Sequence, residues 1–366
     1  MADLKLGARV KALREKAELS QEQMARLLGV GSHQIISQIE SGERRLKADE
    51  LLMIVQKFAV PLDDLTNPFL LMGEGRFCWR QKNVPAATLD AYEGRAGEWI
   101  GAYRALRREN GEAAPALLPR LPLEKSSTFE DAAAAGERLA QDLDLGFAPA
   151  ERLAEVVEDR LRILVLMVDA SPGISGAACQ LPELGAALVN RAEPKGRRAF
   201  DLAHELFHIL TWTTMPPERL DGETPKNRRV EQLADNFAGA LLAPGATLDE
   251  IGSPPAGELV GWLNQTAGRL GMTALALKWR MANSGRITRE AAAGAPDEAL
   301  RNNGEAGPHK PALPPLFSRA FVSTLAAAIE KGNISVRRAA KLTDIDPEDL
   351  ADLCAAQGVA APAALH

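Results

Sequence analysis

Two histidines four residues apart, with a glutamate after the first, are the residues of this chain best suited to chemistry: His204-Glu205-Leu206-Phe207-His208. On a helix, positions i and i+4 lie one above the other, so both imidazoles face the same way and can hold one Zn²⁺. Glu205 then stands beside a water polarised by the metal and acts as general base. A catalytic zinc keeps three protein ligands and one open position. Of the five histidines, His33, His309 and His366 lie far from this stretch, so the third ligand is expected to be a carboxylate. Glu231 is the leading candidate. Asp235, one turn after it, and Asp201, one turn before His204, compete to accept the ring N–H of a ligand histidine. A site of two histidines and a carboxylate also takes Mn²⁺ or Fe²⁺.

These groups need elements to position them. Phe200, Ala203, Phe207 and Leu210 recur at helical spacing around the motif, which predicts a helix buried on one side. Glu231 opens a second predicted helix, ended by Pro244, whose Ala234, Ala238 and Gly239 permit close packing against the first. Phe129 to Asp144 and Pro149 to Asp159 read as helices. Arg162 to Val168, Gly176 to Leu181 and Ala186 to Asn190 read as three short apolar strands. The layout is α+β, a small sheet beside a helical pair. A sheet edge could hold an extended substrate by strand addition. Peptide hydrolysis also needs an oxyanion donor besides the metal. Arg197, Arg198, a backbone N–H or a folded-back Tyr103 could supply it, or it is missing.

The first 65 residues read differently, as a bundle of short helices. Gly7 to Lys16 is one. Ser20 to Gln23 is a capping-box start for a second through Leu28. Gly29-Val30-Gly31 is a turn, Ser32 to Ser41 a third helix and Asp49 to Ala59 a fourth. Helix, glycine turn, helix is the helix-turn-helix plan, whose second helix enters the major groove of DNA. Here His33, Gln34, Ser37 and Gln38 would face base edges, with Arg44, Arg45 and Lys47 holding phosphates.

Two resemblances follow from these stretches. LSQEQMARLLGV, IISQIESGERRL and ELLMIVQKFAVPLDDL resemble the Xre/Cro repressor-type helix-turn-helix over about 60 residues. Gly29 to Ser37 is one residue longer than that family's usual pattern, so base contacts are not carried over from it. RRAFDLAHELFHILTW followed by VEQLADNFAGALLAP resembles the ImmA/IrrE family of zinc metallopeptidases over roughly residues 130–290. That resemblance implies His204, His208 and Glu231 as metal ligands, Glu205 as catalytic base, a zincin-like fold and cleavage of a repressor protein.

The expected architecture is multidomain and mainly α. An all-α helix-turn-helix domain (1–70) leads through a helical connector (71–128) to an α+β zincin-like peptidase domain (129–290). A linker (291–315) and a small helical C-terminal region (316–366) follow. The Ala-, Gly- and Pro-rich character of the linker begins at residue 284, and its His309 is read as incidental. Phe77-Cys78-Trp79-Arg80 is an aromatic knot in the connector, whose Leu89 to Arg108 is amphipathic. Ser335 to Leu342 and Pro347 to Ala355 read as helices that pack or dimerise.

With 366 residues, 46% of them hydrophobic, the chain supports several cores. A net charge of −6 argues against a protein that coats nucleic acid, though not against a small DNA-reading module. Cys78, Cys179 and Cys354 are isolated, with no C-x-x-C pairing, which suits a reducing compartment and neither a disulfide framework nor a thiolate zinc site; Cys179 reads as a small core residue. The charged start and the absence of a spanning apolar run predict a cytoplasmic protein without membrane contact. The expected partners are a double-stranded operator, a protein substrate such as a repressor, and a second copy of the chain. The alternative function is a transcription factor whose peptidase-like domain senses a ligand or metal without catalysis. A toxin–antitoxin role rests on architecture alone.

Overall fold

The computed structural model describes residues 2–71, 75–112, 119–217, 225–305 and 313–365. His309 and His366 therefore lie outside the described residues. Among those described, no helix is long and apolar enough to cross a membrane.

Five helices form the N-terminal bundle: α1 (Ala2–Lys16), α2 (Gln21–Leu27), α3 (His33–Glu40), α4 (Ala48–Phe58) and α5 (Leu62–Thr66). The expected capping box is present. The Ser20 hydroxyl accepts the Gln23 N–H, and the Gln23 side chain accepts the Ser20 N–H. Val10, Met24, Leu28, Ile36, Ile39 and Ile54 make the core. α1 crosses α3 at Gly7, where a Cβ would lie 2.1 Å from the Ile39 carbonyl oxygen. Buried Arg9 donates to the backbone oxygens of Leu65 and Leu70 at 2.9 and 2.6 Å, tying the bundle to the segment that follows it.

Beyond the bundle come β1 (Arg76–Gln81), α6 (Ala86–Glu109), α7 (Phe129–Asp142), α8 (Pro149–Leu161), β2 (Leu164–Val168), β3 (Ile174–Leu181) and β4 (Leu184–Asn190). Then follow α9 (Lys195–Leu210), α10 (Pro225–Leu242), α11 (Gly245–Ile251), α12 (Leu259–Leu270) and α13 (Ala274–Asn283). The last helices are α14 (Arg289–Gly294), α15 (Asp297–Leu300), α16 (Arg319–Glu330), α17 (Val336–Thr343) and α18 (Leu350–Ala356).

The sheet has four strands in the order β1-β3-β4-β2. β3 runs antiparallel to both β1 and β4, while β2 runs parallel to β4. Both faces are covered. Val165, Ala178, Ala187 and Val189 point into a core with α7 to α10, α12 and α13. Leu164, Leu166, Ala177, Cys179, Ala186 and Leu188 point the other way, against α6 and α16 to α18. Burial on two faces is why the strands read as continuous apolar runs.

Three segments differ from expectation. Arg76–Gln81, read as an aromatic knot in a helical connector, is an edge strand paired to β3. The C-terminal helices, expected as a small region of their own, cover the rear face of the sheet. Trp99 Nε1 donates to the Leu342 oxygen at 2.9 Å, and the Phe317 N–H donates to the Met167 oxygen at 2.7 Å. The stretch from 284, read as linker, is folded as far as Gly304. Asn303 accepts the Ala274 N–H at 2.8 Å and donates to the Met272 oxygen at 3.0 Å, and buried Lys278 reaches the Ala295 oxygen and Asp297. Composition cannot show such pairings, which reach back 17 to 31 residues.

α7 presses against α10 through Gly136. A Cβ there would meet the Phe237 carbonyl oxygen at 2.4 Å and the Leu241 nitrogen at 3.0 Å. Gly136→Ala must separate the helix that carries Glu231 from its neighbour. It is expected to cost about 1–3 kcal/mol, read as a lowered melting temperature by circular dichroism. An unchanged melting temperature would show that this packing gives way freely.

Candidate metal centre

α9 packs against α10, and the two bring the candidate ligands together. Nε2 of His204 lies 3.1 Å from Nε2 of His208 and 3.1 Å from Glu231 Oε2, while His208 Nε2 lies 3.5 Å from Glu231 Oε1. Two nitrogens bound to one zinc at tetrahedral angles stand about 3.3 Å apart, given zinc–nitrogen bonds of about 2.0–2.1 Å. The three side chains therefore fit one metal ion without rearrangement of either helix. The histidines are buried, and the Glu231 side chain is 47% exposed at the rim.

Of the two aspartates competing for a ligand histidine, Asp235 accepts the His204 Nδ1–H at 2.9 Å. That bond leaves Nε2 of His204 for the metal. Asp201 instead pairs with Arg197 at 3.2 Å and Arg80 at 3.4 Å. Asp235→Asn is expected to weaken metal binding about 10–100-fold, measured by competition with a chromophoric chelator. An affinity within twofold of wild type would remove Asp235 from the site.

Glu205 is 1% exposed, and neither carboxylate oxygen has a hydrogen-bond partner among the described residues. Burial pushes its pKa up to about 8, against the pull of the His204 and Arg80 charges. A poorly solvated carboxylate with such a value is suited to taking and returning a proton near neutrality. Burial and the Arg80 charge oppose protonation of His204. Its hydrogen bonds to Asp235 and Glu231 outweigh them and raise it to about 9. Burial and the neighbouring His204 depress His208 to about 4. Glu231 falls to about 2, because the His204 hydrogen bond and nearby cations overcome its burial. Coulombic and hydrogen-bond energy thus gathers around one point between the three side chains.

None of the side chains expected as oxyanion donors faces this point. Arg197 is held by Asp201, and Arg198 donates to the backbone oxygens of Arg191 and Glu193 at 3.2 and 2.5 Å. Tyr103 stacks on Phe321 in the core behind the sheet. Two residues that the sequence reading assigned to an aromatic knot of the connector, and not to the site, do reach the centre: Cys78 and Arg80 on β1. Arg80 contacts Asp201 and, at 3.6 Å, Asp235, and lies over the Phe200 ring. The alternation of Phe77 and Trp79 with Cys78 and Arg80 was the available signal for a strand.

In the N-terminal bundle, α3 turns Ile36 and Ile39 inward and leaves His33, Gln34, Ser37 and Gln38 exposed on one side. Arg45 is exposed. Arg44 is already engaged, its guanidinium donating to both oxygens of Glu50 at 2.8 and 2.9 Å. It stabilises the start of α4 rather than standing open to a phosphate.

Comparison with known families finds two domain matches. Residues 5–68 match the helix-turn-helix domain family, and residues 185–276 match the IrrE N-terminal-like domain of the M78 peptidases. The chain joins a helix-turn-helix DNA-binding domain to an IrrE-like peptidase domain. No curated protein and no solved structure matches it. The IrrE-like match spans β4 and α9 to α12 and so contains His204, Glu205, His208 and Glu231. It does not extend to β1, α6 or the C-terminal helices.

Proposed function

We propose that this protein is a DNA-binding transcriptional regulator whose IrrE-like domain is a zinc-dependent endopeptidase acting on a specific regulatory protein. The observation that carries the reading is the meeting of His204, His208 and Glu231 at zinc-ligand spacing beside an unpartnered, buried Glu205. Bound at these three side chains, Zn²⁺ would supply a Lewis acid that polarises a peptide carbonyl and acidifies water. Glu205 takes the proton from the attacking water and passes it to the departing amine. Asp235 keeps the His204 ring in the orientation that presents Nε2.

The DNA-reading half would use His33, Gln34, Ser37 and Gln38 at base edges and Arg45 at a phosphate. A homodimer on two half-sites fits the two-fold geometry of such domains. The substrate is expected to be another regulator, such as a repressor.

The first experiment is metal content of purified wild type beside His204→Ala and Glu231→Ala. About one zinc per chain in wild type, lost in both variants, supports the centre. Full metal retained by Glu231→Ala would move the third ligand elsewhere. Failure of wild type to take up Zn²⁺ would overturn the peptidase reading.

A further inference from the structure

The metal-facing side of β1 carries a thiol. Strand alternation sends Phe77 and Trp79 into the rear core, where their rings stack at 5.3 Å, and turns Cys78 and Arg80 towards α9 and α10. One donor atom each from Cys78, His208 and Glu231 lies within 4.8 Å of the others. The buried, unpartnered carboxylate of Glu205 lies close enough for its charge to act on the thiol. A zinc–sulfur bond of about 2.3 Å and zinc–nitrogen bonds of about 2.0–2.1 Å put sulfur roughly 3.6 Å from each nitrogen. Cys78 thus lies beside His208 and Glu231, two of the three side chains that converge on the metal position.

The strand is fastened where it is. Arg76 to Arg80 pair in register with Gln180 to Gly176 of β3, Cys78 opposite Ala178. On the metal side, Arg80 bridges Asp201 of α9 and Asp235 of α10. β1 therefore lies antiparallel along the edge of β3, the edge to which an extended peptide would otherwise add.

We infer that Cys78 is a fourth protein ligand of this metal, filling the position a catalytic water needs, and that β1 holds the peptidase latent. The inference rests on the metal centre proposed above. Coordination forms a sulfur–metal bond and releases the thiol proton to solvent. The donor set becomes two imidazoles, one carboxylate and one thiolate. A four-ligand site of this kind is closed, as in structural zinc sites, until the thiolate leaves. β1 follows the N-terminal bundle directly, so displacement of that bundle is the natural way to lift it.

The test is Co²⁺ loading of chelator-stripped, reduced full-length protein, wild type beside Cys78→Ala. Wild type should bind one Co²⁺ with a thiolate-to-cobalt charge-transfer band in the near ultraviolet. Cys78→Ala should bind one Co²⁺ without that band. Acetohydroxamate should change the visible cobalt spectrum of the variant and leave that of wild type unchanged. Zn²⁺ should slow alkylation of Cys78 by iodoacetamide at least tenfold, read by peptide mass spectrometry. That measurement stands even if the variant folds poorly. Co²⁺ bound by wild type without the band, a band that persists in Cys78→Ala, or alkylation indifferent to Zn²⁺ would each overturn the role of Cys78 and leave the three-ligand centre standing. No Co²⁺ uptake by wild type would overturn the centre and this inference together.

Discussion

Glu205→Gln is expected to lower peptide hydrolysis about 100- to 10,000-fold while leaving one metal ion per chain. The amide has nearly the shape of the carboxylate, so the buried site keeps its packing. What changes is the capacity to hold a proton. Glu205 titrates near 8 because burial destabilises its charge, and glutamine offers no site for a proton at any working pH. Glu205 is not among the three side chains that converge on the metal position, so metal content should survive. The comparison uses a co-expressed candidate substrate followed by gel and mass spectrometry, with metal measured on the same samples. It is made both in wild type and in the Cys78→Ala background, where latency imposed by the thiol is removed. Cleavage undiminished in Glu205→Gln would reject this residue as the base. Transcriptional regulation undiminished in the variant would favour the sensing role, in which the fold of the domain matters and its proton transfer does not.

The parts of this molecule legible in the sequence are those set by local periodicity. Helical spacing places His204, Glu205 and His208 on one buried segment and puts Asp235 one turn from Glu231, and α9 and α10 carry them so. The choice between Asp235 and Asp201 was not legible. Both stand one turn from a ligand, and only the packing of α9 on α10 shows that Asp235 reaches His204 Nδ1 while Asp201 is held by Arg197 and Arg80. β1 was hidden for the same reason. Its partner strand begins 93 residues after it ends, and only the pairing turns Cys78 from a knot residue into a neighbour of His208. Arg44 illustrates the converse. Its sequence position suits a phosphate contact, yet Glu50 holds it within the fold.

In Cys78→Ala, metal affinity should fall about tenfold per pH unit as pH drops below about 9, and about 100-fold between pH 8 and pH 6. In the metal-free centre His204 holds its second proton up to about pH 9. A metal must displace that proton to reach Nε2, so binding releases it and acid weakens binding. The other ligands add nothing in this range. His208 is depressed to about 4 and Glu231 to about 2, so one is already neutral and the other already ionised at pH 6. Cys78 would add a proton of its own if it binds, which makes Cys78→Ala the variant in which the His204 contribution is read alone. Asp235→Asn should reduce the slope, because the carboxylate that holds the proton on His204 is gone, even as the affinity itself declines. Chelator competition across pH 6 to 8, corrected for the chelator's own protonation, measures both quantities. An affinity independent of pH in Cys78→Ala would mean that His204 either carries no displaceable proton or does not bind the metal. Equal slopes with and without Cys78 would mean that no thiol proton is released on binding.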